Sequence, residues 1–283
     1  MTRTKYLCTA LAVAIIAIGL AQPSTAQTPL SGIGVVIMHG KGGSPTRYVS
    51  NLASSLEEKG YLVANLEMPW SGRRGYDVNV SGAEKEVGTA LGMLRSKGAK
   101  KLFVAGHSQG GLFALYFGGR HDVDGVVAIA PGGDVSNAIF REKLGESVEL
   151  ARKLVAEGKG DEKTRFYDYE GTKGITPVTT TPAIYWSWFD PNGAMNQTMA
   201  VKAMNPRVTV LYIGPKGDYP GLRKVKESMF SALPGNPLNK MYEPDSSHLD
   251  APSASRDEIV QWINEVVSRP SPALQGTPAS GRP

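Results

Sequence analysis

Short apolar runs rich in β-branched residues recur along the chain, and between them lie longer stretches whose apolar positions return every three or four residues. The first pattern is that of buried strands and the second that of amphipathic helices. Ile33 to Met38, Tyr61 to Leu66, Lys101 to Ala105, Val126 to Ala130, Val208 to Ile213 and Lys240 to Glu243 read as strands, each bounded by Gly, Pro or Asp. Helices are predicted near Arg47 to Lys59, Ala83 to Lys97, Gly110 to Gly119, Leu222 to Leu233 and Ser255 to Val267. Ser255 with Glu258 three residues later has the spacing of a capping box. Such alternation predicts an α/β fold with a mostly parallel sheet of about six strands and helices on both faces.

One interval breaks the rhythm. About seventy-five residues separate the strand ending at Ala130 from the one starting at Val208, far more than a crossover helix needs. Its first part, Ser136 to Glu157, is helical in pattern, and its second is rich in Thr, Pro and aromatics, including Tyr185, Trp186, Trp188 and Phe189. We expect an inserted cap at about 134–206, lying over the carboxyl edge of the sheet.

The ends of the chain bear on its location. Arg3 and Lys5 precede an apolar run from Leu7 to Leu20, and Ser24-Thr25-Ala26 supplies small residues for cleavage after Ala26. This reads as a signal peptide of residues 1–26, so an exported product, periplasmic or secreted, is expected, with no stable membrane insertion after cleavage. The run is shorter than the ~20 apolar residues that span a bilayer. Cys8 is the single cysteine, so the mature chain would have no disulfide and must rely on packing. Loss of Arg3 and Lys5 lowers the formal charge from +5 to +3 (5 − 2), too small an excess to argue for a nucleic-acid partner. Residues 270–283, punctuated by Pro270, Pro272, Gly276, Pro278, Gly281 and Pro283, are expected to form a flexible tail. The folded domain is thus placed at 27–269.

Candidate chemistry centres on Gly106-His107-Ser108-Gln109-Gly110, a G-x-S-x-G motif. In a chain with 33 glycines the pattern alone is weak. Its setting, after a buried-strand run and before a helix, is that of a nucleophile elbow whose strained turn lifts the serine hydroxyl clear of the sheet. The hydroxyl needs a base. Of His39, His107, His121 and His248, the last follows the final strand and so falls at the same sheet edge as Ser108. Asp218, in the loop after Val208 to Ile213, is the candidate to orient that base, with Asp134 and Asp245 as competitors. The loop His39-Gly40-Lys41-Gly42-Gly43 can offer an amide of Lys41 or Gly42 to an oxyanion, and the amide of Gln109 the other. Trp70, Trp186, Trp188 and Phe189 are candidates for an apolar substrate pocket, and Arg73 and Arg74 either draw anionic substrates or form a solvated pair. No cluster of His, Cys or acidic residues has metal-ligand spacing and no phosphate loop is matched, so neither a metal nor another cofactor is called for.

Through the HG-x-GG loop, the elbow at Gly106 to Gly110, Asp218 and His248, in the chain order Ser, Asp, His, the sequence resembles the α/β-hydrolase superfamily over roughly residues 31 to 268. It departs from the fuller fold in lacking room for an amino-terminal hairpin, and in placing Asp218 four residues after Gly214 where many relatives have three. The resemblance implies a serine hydrolase acting on a small-molecule acyl substrate, a carboxylesterase first. A thioesterase, amidase or peptidase with the same three residues remains open, as does an inactive binding protein of this fold.

Overall fold

A computed structural model describes residues 32–269; the expected signal peptide with Cys8 and the expected carboxyl-terminal tail lie outside the described residues. In chain order the elements begin β1 (Ile33–Met38), α1 (Ser50–Glu58), β2 (Leu62–Leu66), α2 (Val80–Ser96), β3 (Lys101–His107), α3 (Gln109–Gly118) and β4 (Gly125–Ile129). An insertion follows: α4 (Ala138–Ala156), β5 (Thr164–Glu170), β6 (Gly174–Thr180), α5 (Pro182–Phe189) and α6 (Gln197–Lys202). The chain then returns to the sheet with β7 (Thr209–Ile213), α7 (Pro220–Ser231), β8 (Lys240–Tyr242), α8 (Ala251–Ala254) and α9 (Arg256–Ser268).

β2-β1-β3-β4-β7-β8 form one six-stranded sheet in which every pairing is parallel. All six predicted strands are therefore present, with ends moved by one or two residues. The central strands are apolar without a break because both faces are covered. Val36, Met38, Leu102, Val104, Val126, Ala128, Val210 and Tyr212 point to one core, shared with α2, α3 and the insertion. Their alternates Ile33, Val35, Ile37, Phe103, Ala105, Val127, Ile129, Leu211 and Ile213 point to the other, beneath α1 and α9. Burying each such side chain stabilises the fold by about 1.5–3 kcal/mol, so a slip of one residue in any central strand would be strongly resisted.

The insertion holds more order than its composition suggests. β5 and β6 form an antiparallel hairpin outside the main sheet, where Thr and Pro had obscured any strand pattern. Pro177 is tolerated because each strand of a two-stranded ribbon has an unpaired edge. α5 is apolar along most of its length, and Pro182, Tyr185, Trp188 and Phe189 are buried. Phe166 from the hairpin stacks on Tyr185 at 4.4 Å, and Tyr185 stacks on Phe189 at 4.2 Å. On the other flank Trp188 meets Trp70 and Phe113 edge-on or tilted, both at 5.5 Å, and its indole N–H donates to the Val78 carbonyl.

The capping box at Ser255 does not form. Ser255 already follows a helical turn, its N–H bonding the Ala251 carbonyl at 3.1 Å, so its backbone (φ −103°, ψ 5°) lacks the extended geometry an N-cap needs. Glu258 instead lies 2.6 Å from Lys240 Nζ, an ion pair by distance though not aligned as a hydrogen bond.

Phe166 is fully buried and ties the hairpin to α5. Phe166→Ala should cost about 3–5 kcal/mol locally and open the hairpin before the sheet unfolds. Limited proteolysis should then cut within residues 160–180 in the variant well below its main melting transition; equal resistance in the two proteins would contradict this.

Candidate active site

Ser108 stands between β3 and α3 with φ 54° and ψ −118°, a combination that strains any residue with a side chain. The turn is possible because its neighbours lack side chains. A Cβ on Gly106 would sit 2.0 Å from the Gly110 carbonyl oxygen, and one on Gly110 would sit 2.5 Å from that of Met38. The strained residue is pinned by backbone bonds: its N–H donates to Ile129 at 2.9 Å, and its carbonyl accepts from Leu112 and Gly132, each at 3.1 Å. Ser108 immediately precedes α3, whose amino end adds partial positive charge there.

Asp218 and His248 come from loops after β7 and β8 that are zipped together by Lys216 N–H to the Pro244 carbonyl and Gly217 N–H to that of Ser246, both at 3.0 Å. The zip brings His248 Nδ1 to 2.7 Å from Asp218 Oδ1, with both side chains buried. A carboxylate accepts, so Nδ1 carries the proton and Nε2 presents its lone pair. Asp218 Oδ1 also accepts from the Tyr219 N–H at 2.7 Å, and the Tyr219 ring lies 4.5 Å from that of His248. Neither competing carboxylate reaches the imidazole. Asp134 accepts from Ser136 and from the Gln197 amide, and Asp245 is exposed. Ser108 and His248 are adjacent to the same residue, His107, but no hydrogen bond joins the hydroxyl to the imidazole in this structure, and Nε2 has no partner among the described residues.

The other histidines are occupied. His107 Nε2 donates to the His248 carbonyl at 2.9 Å, while its Nδ1 is buried without a partner. Burial, with His248 nearby, pushes the His107 pKa down to about 3, so the ring is neutral. His39 Nε2 accepts the Met68 N–H at 3.0 Å, which puts the proton on Nδ1 facing the Gly40 carbonyl at 2.7 Å; burial lowers its pKa also. His39 thus orders the loop. His121 stacks on Phe117 and meets Glu84 at 3.0 Å, at the far end of α3.

The glycine loop approaches the serine closely: a Cβ on Gly40 would be 3.1 Å from Ser108 Cβ. The Gly42 N–H is engaged by the Trp70 carbonyl at 2.9 Å, which removes it as a donor. The N–H groups of Lys41 and Gln109 have no partner among the described residues. The Lys41 ammonium turns away to Asp168 at 2.6 Å, and lies over the Phe140 and Phe189 rings.

These two rings also line a cavity of about 210 Å³ with Val135, Leu144, Val148 and Pro191. Of the aromatics proposed for a pocket, Phe189 lines it. Trp70 and Trp188 are buried core side chains instead, locked by their mutual contact, and Trp186 is half-buried against the same core. Arg73 pairs with Glu67, and Arg74 with Asp77 and Glu86, so neither guanidinium is left to draw an anion. Phe140, Leu144 and Asp168 were not singled out from sequence, because they lie outside any motif and are brought in only by the tertiary fold; Tyr219, also not singled out, adjoins Asp218 in the chain. No group of three or more His, Cys, Asp or Glu among the described residues is placed to hold a metal ion.

A family model described as serine aminopeptidase, S33, matches residues 33–167. No curated protein matches the chain by sequence. Among solved structures, an α/β hydrolase from Penicillium sp. sh18 is similar with TM-score 0.64 and 14% identity, over 85% of this chain and 90% of the other. A thermostable carboxyl esterase from Bacillus coagulans gives 0.58 and 16%, over 83% and 90%. A monoacylglycerol lipase from Paleococcus ferrophilus gives 0.57 and 19%, over 82% and 94%. At these identities the likeness is one of fold.

His107 supplies a pH test. Its folded pKa, about 3, lies below the ordinary 6.5, so its contribution to stability is complete above pH 6.5. As pH falls below 6.5 the unfolded chain takes up a proton that the folded one refuses until about pH 3, and up to about 1.4 kcal/mol is lost per pH unit. His107→Gln should therefore show a flatter fall in Tm between pH 6.5 and 4 than the parent; parallel curves would exclude the burial-driven cause.

Proposed function

We propose, from its α/β-hydrolase fold, that the chain is a serine hydrolase that cleaves carboxylic esters through an acyl-enzyme on Ser108. The observation that carries the reading is the 2.7 Å hydrogen bond that fixes His248 with its proton on Nδ1 and the Nε2 lone pair presented, at the same sheet edge as a strained, partly exposed serine. Nε2 takes the hydroxyl proton as Ser108 Oγ attacks the ester carbonyl, and Asp218 stabilises the imidazolium that forms. The carbonyl oxygen becomes an oxyanion, met by the N–H groups of Lys41 and Gln109. His248 then gives its proton to the departing alkoxide. Water, deprotonated by the same imidazole, releases the acid and restores the serine. The hydrogen bond from Ser108 to His248 closes when substrate excludes water, as such bonds do in many resting enzymes.

An ester is favoured over a peptide amino terminus by what surrounds the loop. An N-terminal ammonium needs a free carboxylate, whereas Asp168 is paired with Lys41 and Glu170 with Lys173. The cavity walled by Phe140 and Phe189, the rings that face the Lys41 ammonium, is lined mainly by apolar groups with Arg141 among them, which suits an acyl chain. No step calls for a metal or an organic cofactor.

Purified protein should react with a fluorophosphonate probe and hydrolyse p-nitrophenyl esters, and Ser108→Ala should abolish both. Asp218→Asn should keep the fold and lower kcat by about 10⁴, since the imidazole would then hold the wrong tautomer. A folded, unlabelled parent protein inert to esters would point to a binding protein of this fold.

A further inference from the structure

We propose that Asp168, carried to the glycine loop by the inserted hairpin, is a positioning residue for the oxyanion donors, holding Lys41 directly and Gln109 through Tyr76. The inference rests on Ser108 as nucleophile and deepens that reading.

Asp168 is buried, and both of its oxygens are used. Oδ1 accepts from Lys41 Nζ at 2.6 Å and from the Tyr169 N–H at 2.7 Å. Oδ2 accepts from the Tyr76 hydroxyl at 3.0 Å. That hydroxyl in turn accepts from Gln109 Nε2 at 3.4 Å. A single carboxylate thereby joins the side chains of the two residues whose backbone N–H groups lack partners beside Ser108. Lys41 is held by a second bond, to the Tyr169 carbonyl at 3.2 Å, also from the hairpin.

The loop needs such an anchor. Lys41 is flanked by Gly40 on one side and Gly42 and Gly43 on the other; the Gly40 carbonyl, in the same peptide plane as the Lys41 N–H, accepts from His39 Nδ1 at 2.7 Å and from the Gly43 N–H at 3.1 Å, both bonds lying within residues 39–43. Gly42, at φ 60°, sits in a conformation glycine enters and leaves at little cost. The lysine side chain adds an anchor from the inserted hairpin, through its bond to Asp168. Tyr76 is also held against its preference, at φ 58°, with its ring against Trp188 and Phe189 and its carbonyl accepting from Thr180 Oγ1 at 2.7 Å. Thr180 belongs to the hairpin as well. Burial and the Asp168 charge keep the Tyr76 phenol well above its ordinary pKa, so it remains a donor. A buried ion pair contributes little net stability, which leaves geometry as what Lys41 and Asp168 supply.

Asp168→Asn and Tyr76→Phe, with Arg165→Ala on the exposed side of the same hairpin as control, test this through kcat, KM and the affinity for a trifluoromethyl ketone. The ketone forms a reversible tetrahedral adduct with the serine and so reports the oxyanion donors. For Asp168→Asn we expect kcat to fall about 100-fold with KM within about threefold, and ketone affinity to fall by the same factor as kcat. Tyr76→Phe should lose about tenfold in both, and Arg165→Ala neither. A role in holding the hairpin alone would lower Tm and leave kcat and ketone affinity of the folded protein intact, and that outcome overturns the proposal. If Asp168→Asn fails to fold, Tyr76→Phe decides by the same criteria. An active parent, an inert Ser108→Ala and an unchanged Asp168→Asn would remove the inference and leave the serine hydrolase standing; an inert parent would remove both.

Discussion

The site depends on one close approach of backbone to backbone. Gly110, at the start of α3, lies so near the ends of β1 that a Cβ would come within 2.5 Å of the Met38 carbonyl oxygen and 2.7 Å of that of His39. That contact sets the helix tightly on the sheet, and Ser108 must then turn through φ 54° to join them. A strained residue costs on the order of 1–3 kcal/mol, offset here by the three backbone bonds that grip Ser108 and by a helix buried along almost its whole length. The glycine loop follows directly from the strand against which the helix is pressed, so the same approach brings Gly40 and Lys41 beside the serine. The positions of Ser108 and of the proposed oxyanion donors are thus consequences of a single packing constraint.

Asp218 and His248 obey a different logic. They lie 30 residues apart, on loops that leave neighbouring parallel strands, and the loops are paired by backbone bonds before either side chain is considered. The imidazole is then walled by Tyr219 and His107, and the His107 ring, neutral through burial, braces the His248 carbonyl without competing for a proton. Positioning of the backbone therefore comes first, and the tautomer of His248 follows from it.

Much of this was legible in the sequence, for a physical reason. Strands buried on both faces read as unbroken apolar runs, and all six emerge with small errors at their ends. In a parallel sheet each strand's carboxyl end opens at one edge, so Ser108, Asp218 and His248 could be grouped from chain order alone. The hairpin resisted the same approach. A two-stranded ribbon lying on other elements buries only Phe166, Asp168, Val178 and Thr180, too few to impose a pattern on a Thr- and Pro-rich stretch. Asp168 was illegible for a further reason: its partner Lys41 is 127 residues away, and nothing local marks a carboxylate that will be buried. Trp70 and Trp188 misled in the opposite sense, because an aromatic reads alike whether it lines a pocket or fills a core.

The electrostatics of the site explain why the pairing of Lys41 matters beyond its geometry. A free ammonium beside Ser108 would attract any anion, product carboxylate included, and would stabilise ground states as well as transition states. With Asp168 at 2.6 Å the pair carries no net charge, and the neighbouring histidines 39 and 107 are disposed to be neutral by burial. The positive potential that remains comes from the amino end of α3 and from two N–H groups fixed in direction. Such dipoles act most strongly on charge that develops at one point, which is where an ester carbonyl becomes an oxyanion. In the proposed mechanism, neutralising Lys41 sharpens selectivity for the transition state, and the inserted hairpin, by delivering Asp168, belongs to the electrostatics of the proposed site as well as covering the sheet.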